Sequence, residues 1–77
     1  MQTKHNEVYK KLRFNITYAR KMQGLSQMQL AEKVGISRTH MSNIEAPNGG
    51  TLPSLDVLIS IADALDVPIA KLFEFRD

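Results

Sequence analysis

The fold is decided by the stretch Gly24-Leu25-Ser26-Gln27-Met28-Gln29-Leu30-Ala31-Glu32-Lys33-Val34-Gly35-Ile36-Ser37-Arg38-Thr39-His40-Met41-Ser42-Asn43-Ile44-Glu45. Ser26 with Gln29 three residues on has the form of a capping box, which opens a short helix running through Val34. Gly35 stands where a left-handed residue would end that helix, and Ser37 follows as the next N-cap. The helix from Ser37 to about Glu45 offers only Met41 and Ile44 as strongly apolar residues. So thin a stripe leaves its other side for water or for a partner. Two short helices joined by a Gly-containing turn, the second of them polar, describe a helix-turn-helix. Leu30 and Val34 supply facing apolar surface, Ala31 is small where the pair must approach closely, and Ile36 and Ile44 plug the second helix onto the first. Any helical hairpin can use such residues, so periodicity alone leaves the motif open.

Upstream, Val8, Leu12, Ile16 and Ala19 recur at spacings of four, four and three, the stripe of an amphipathic helix from about Asn6 to Met22. Phe14 and Tyr18 lie four apart on roughly the opposite side, as a surface aromatic pair or a contact with something else. Downstream, Pro47, Asn48, Gly49 and Gly50 form a strong loop signal, and Pro53-Ser54 announces another helix. That helix runs from about Leu55 to Leu65 with Leu55, Leu58, Ile59, Ala62 and Leu65 as its stripe and Asp56 in its first turn, where the helix dipole favours an anion. Beyond Val67-Pro68, the residues Ile69, Leu72 and Phe73 stand at i, i+3 and i+4 of a short fifth helix. No period-2 strand pattern occurs, so the expectation is an all-α fold of five helices.

A chain of 77 residues has room for one compact domain and one core, which excludes a two-domain enzyme. The absence of cysteine removes disulfides and thiolate metal sites, and with only His5 and His40 as histidines no metal site is expected. No apolar run reaches the roughly 20 residues of a membrane span and the amino end has no secretory pattern, so a cytoplasmic protein is expected. Charge is divided unevenly: residues 1–45 carry eight basic against three acidic side chains, and residues 46–77 carry two against five. Such a dipolar molecule presents one face to a polyanion and keeps the other off it.

The run Arg20-x-x-x-Gly24-Leu25-Ser26-Gln27-x-x-Leu30-Ala31-x-x-x-Gly35-Ile36-Ser37-x-x-x-x-Ser42-x-Ile44-Glu45 resembles the phage repressor and Cro type of helix-turn-helix, often called XRE. Pro53-Ser54-Leu55 and Ile61-Ala62-x-Ala64-Leu65-x-Val67 continue the likeness, which spans about residues 8–74 of a single domain. The resemblance implies a five-helix, lambda-repressor-like domain acting as a transcriptional regulator, a repressor, that binds a palindromic operator in double-stranded DNA as a homodimer. The loop Ala46 to Leu52 departs from the pattern, being longer than is usual and lacking the common basic residue.

Site residues follow from that likeness. Ser37, Arg38, Thr39 and Asn43 fall in the part of a recognition helix that reaches base edges, with Arg suited to guanine and Asn to adenine. Ser37 has a competing use as the N-cap. Gln27 looks like the family's glutamine that spans between a phosphate and the recognition helix, Ser26 adds a donor near the same helix N-terminus, and His40 resembles a phosphate-contacting position. Arg20 and Glu45 look like the family's paired charges joining the first and third helices. Lys10, Lys11, Arg13 and Lys21 read as a solvated face adding diffuse attraction to DNA. Dimer contacts are expected from the carboxyl-terminal helix and Phe75. The rival reading is an antitoxin or accessory protein-binding module with secondary DNA binding. A nucleophile with an adjacent base, a cofactor motif and a phosphate loop are all lacking, so neither an enzyme nor a small-molecule binder is expected.

Overall fold

The computed structural model describes residues 5–48 and 50–74. Within them the chain forms α1 (Asn6–Met22), α2 (Gln27–Val34), α3 (Arg38–Glu45) and α4 (Leu55–Ala64), and closes on a 3-10 turn, Ile69–Phe73. No strand occurs among the described residues.

Three serines open three helices by the same means. The hydroxyl oxygens of Ser26, Ser37 and Ser54 accept from the backbone N–H of Gln29, His40 and Val57, at 3.0, 3.0 and 3.1 Å. At Ser26 the Gln29 side chain reciprocates, accepting from the Ser26 N–H at 2.8 Å and completing the capping box. Gly35 takes the left-handed conformation at φ 88°, and both its N–H and that of Ile36 return to the Ala31 carbonyl. That geometry is what makes the turn between α2 and α3 tight.

The core is one cluster: Leu12 and Ile16 from α1, Leu30 and Ala31 from α2, Met41 and Ile44 from α3, Leu58, Ile61 and Ala62 from α4, with Leu65 and Leu72. Two stripes differ from the sequence expectation. In α4 the buried set is Leu58, Ile61 and Ala62, continued by Leu65 at its C-cap, while Leu55 and Ile59 are 68% and 44% exposed. The helix is apolar nearly all round, so two overlapping stripes fit its period and only the neighbouring helices choose between them. In α1 the stripe begins at Leu12, and Val8 is exposed. A helix of 17 residues is about 26 Å long, and the elements packed on it, the eight-residue α3 of about 12 Å and the 3-10 turn, cover only part of it.

The fifth helix of the sequence reading is replaced by the 3-10 turn, leaving four α-helices among the described residues. Pro68 precedes it, Lys71 N–H bonds back to the Pro68 carbonyl, and the Asn15 amide of α1 donates to the carbonyls of Leu72 and Glu74. Those carbonyls are thus tied to α1, and a segment of five residues is too short to repay the nucleation of an α-helix. At three residues per turn Ile69 and Leu72 align, and Leu72 is buried, while Phe73 rotates outward. Phe75 lies outside the described residues. Phe14 and Tyr18 stack with centroids 6.2 Å apart, and both are exposed. Among the described residues no helix is long and apolar enough to cross a membrane, and no three metal-ligating side chains gather.

Candidate nucleic-acid interface

The surface of α3 divides cleanly. Met41, Ile44 and Glu45 are buried, whereas Thr39 and Asn43 are exposed on the other side, Arg38 is exposed in the first turn and His40 is half-buried. Thr39 and Asn43 stand one helical turn apart at the centre of the exposed side, with Arg38 at its edge. Ser37 is also exposed, and its hydroxyl oxygen already accepts the His40 N–H, which leaves the hydroxyl proton free for another acceptor. Ser26 is in the same position at the start of α2.

Glu45 ends α3 as an anchor beneath that surface. Arg20 engages its carboxylate through two nitrogens, Nε to Oε2 and Nη2 to Oε1, each at 2.9 Å, and both residues are 7% exposed. Thr17 Oγ1 donates to Glu45 Oε1 at 3.0 Å, and Gln27 Nε2 donates to the same oxygen at 3.2 Å. The remaining Arg20 nitrogen, Nη1, donates to the Leu25 carbonyl at 2.7 Å. One carboxylate therefore collects donors from α1 and α2, and every nitrogen and oxygen of the ion pair has a hydrogen-bond partner, the condition under which buried charges are tolerated. Gln27 is brought to the end of α3, and its carboxamide nitrogen retains a second proton for a ligand.

Arg13 requires a correction. It is not part of a solvated basic face but 5% exposed, with Nη1 donating to the carbonyls of Asn43 at 3.0 Å, Ile44 at 2.7 Å and Thr51 at 3.3 Å. Desolvation lowers its pKa. A signal was present in the sequence, because Arg13 is seven residues before Arg20 and two turns of helix bring them to nearly the same side. Once Arg20 is assigned inward, Arg13 goes with it. Gln23, near the end of α1, was also missed; its amide donates to the Leu65 carbonyl at the end of α4.

With this geometry in place, residues 16–72 match the family described as Helix-turn-helix. The chain belongs to that family. It is of the phage repressor and Cro, or XRE, type. It is 41% identical over 69 residues to the ImmF control region 10 kDa protein of Bacillus phage phi105, covering 87% of this chain and 74% of that protein. It is 38% identical over 58 residues to the HTH-type transcriptional regulator SinR of Bacillus licheniformis, covering 75% of this chain and 51% of SinR. The chain thus spans about half the length of that relative. Among solved structures it resembles the master regulator for biofilm formation SinR in complex with DNA, with 35% identity, a TM-score of 0.73 and coverage of 82% and 98%. It also resembles the restriction-modification controller protein C.AhdI from Aeromonas hydrophila, with 30% identity, a TM-score of 0.76 and coverage of 82% and 92%.

Proposed function

We propose that this protein is a sequence-specific DNA-binding transcriptional regulator, a repressor, that places α3 in the major groove of double-stranded DNA. The observation that carries the reading is the division of α3 into an inner side anchored by Met41, Ile44 and Glu45 and an outer side presenting Thr39 and Asn43, with Arg38 exposed in its first turn. The likeness to SinR in complex with DNA supports it. In this reading Ser37, Arg38, Thr39 and Asn43 contact base edges, while Ser26, Gln27 and His40 contact phosphates and hold the register. The chain works as a single domain in the cytoplasm, without catalysis, metal or cofactor.

A single helix-turn-helix reads about half a site, so the protein acts as a homodimer on a palindromic operator. Leu55 and Ile59, one turn apart and exposed on α4, together with exposed Phe73, supply apolar surface for that contact. Selection of bound sequences from a random DNA pool tests the proposal. The expected product is an inverted repeat with half-sites one helical turn apart. Arg38→Ala costs about 1 to 3 kcal/mol on that site and relaxes one base position, whereas Gln27→Ala weakens all sequences alike. No enriched sequence, or the same uniform weakening from both variants, would overturn the assignment.

A further inference from the structure

An α-helix leaves its last carbonyls without intrahelical partners, and α3 lacks the usual local remedy. The chain leaves it at Ala46 in an extended conformation, not through a left-handed glycine, and its last turn holds no basic residue. Arg13 supplies the partner from α1, 30 residues away, with Nη1 on the Asn43 and Ile44 carbonyls. A cation there also meets the negative end of the helix dipole. The same nitrogen reaches the Thr51 carbonyl, so the loop after α3 is drawn into the same knot. Gly50 completes it: at φ 83° its backbone lies so close to α3 that a Cβ would come within 2.3 Å of the Asn43 carbonyl oxygen. Asn43, whose side chain faces outward, is therefore the residue whose backbone both Arg13 and the loop hold.

We propose that Arg13, together with Gly50, is a positioning pair for base reading: the knot at the carboxyl end of α3 sets where Asn43 enters the groove, independently of Arg38 at the other end. The inference rests on the reading of Asn43 as a base contact given above. Geometry makes the two ends separable. The start of α3 is held by the Ser37 cap and the turn from α2. From Arg38 to Asn43 the helix rises about 7.5 Å, so a tilt of about 10° displaces Asn43 by about 1.3 Å relative to Arg38. A directional contact tolerates only about 0.5 Å.

The experiment compares the parent with Asn43→Ala, Arg13→Lys and Gly50→Ala by selection from a random DNA pool and by thermal melting. Lysine keeps the charge, but its side chain ends one bond short of Nη1, the single nitrogen that joins the carbonyls of α3 and of the loop. Gly50→Ala leaves the guanidinium in place and displaces the loop, so it carries the test if Arg13→Lys does not fold. Asn43→Ala is expected to reduce the preference at its base pair by roughly 5- to 150-fold. Arg13→Lys and Gly50→Ala are expected to reduce that same preference several-fold and to leave the preference read by Arg38 intact. Lower melting with every preference retained would make Arg13 a stability residue only and overturn the proposal. Equal relaxation at all positions would overturn it as well. If Asn43→Ala alters no preference, the reading of Asn43 falls and takes this inference with it. An altered Asn43→Ala profile beside an unaltered Arg13→Lys and Gly50→Ala profile sinks the inference alone.

Discussion

α2 and α3 are both eight residues long and both open on a serine, yet they end in opposite ways. α2 closes within its own sequence: Gly35 turns left-handed and returns the N–H groups of residues 35 and 36 to Ala31. α3 has no such residue and is closed from outside, by Arg13 on its carbonyls and by Arg20 on Glu45. A helix finished by its own neighbours in sequence has its end set locally, whatever the rest of the fold does. One finished by side chains of α1 is fixed in place, which is what a surface that reads another molecule requires.

The largest way to break the contrast is at Glu45. Its carboxylate holds Arg20, Thr17 and Gln27, so Glu45→Ala strands a buried guanidinium and removes one of the two ties on the end of α3 in one step. Removing one partner of a buried pair costs on the order of 3 to 5 kcal/mol, and a domain of this size loses about 4 to 8 °C of melting temperature per kcal/mol. A variant melting within a few degrees of the parent would show that the pair contributes little.

Gly35 probes the other closure. Nothing lies within 4 Å of a Cβ built there, so Gly35→Ala meets no clash and feels only the strain of φ 88°. The expected loss is about 1 to 2 kcal/mol, smaller than at Glu45 because a single backbone conformation is at stake rather than a network. Thermal melting ranks the two, and a Gly35→Ala loss equal to or above that of Glu45→Ala would reverse the contrast between local and distant closure.

Legibility in the sequence follows the same divide. The three serine caps, the Gly35 turn and the limits of α1 are set by neighbours within four residues, and local rules reach that far. The burial of Ile61 in place of Ile59, the 3-10 geometry of Ile69–Phe73 and the inward path of Arg13 depend on which distant surface each residue meets. Exposed Arg38, Thr39 and Asn43 were legible because α3 is too polar to be buried on both sides. The inward side of Arg13 was legible only through its spacing of seven from Arg20, and the carbonyls it meets 30 positions on were not, because nothing local to a basic residue among lysines names them.

The smallest expected effect on stability sharpens the comparison most finely, because Ser37 has two uses that stability and binding can separate. Its hydroxyl oxygen caps α3 through the His40 N–H, and its proton remains free on an exposed surface. Ser26 has the same pair of uses at α2, but there the Gln29 side chain completes a box that Ser37 lacks. Glycine at an N-cap costs only a few tenths of a kcal/mol relative to serine, so Ser37→Gly leaves melting nearly unchanged while deleting the hydroxyl. If Ser37 also reads a base, the variant loses about 0.5 to 1.5 kcal/mol of preference at one base pair, the worth of a neutral hydrogen bond. Binding competition between the selected site and its single-base variants measures that loss. A Ser37→Gly protein that keeps both its melting temperature and its full base preference would confine the serine to capping, and leave Arg38, Thr39 and Asn43 as the reading surface.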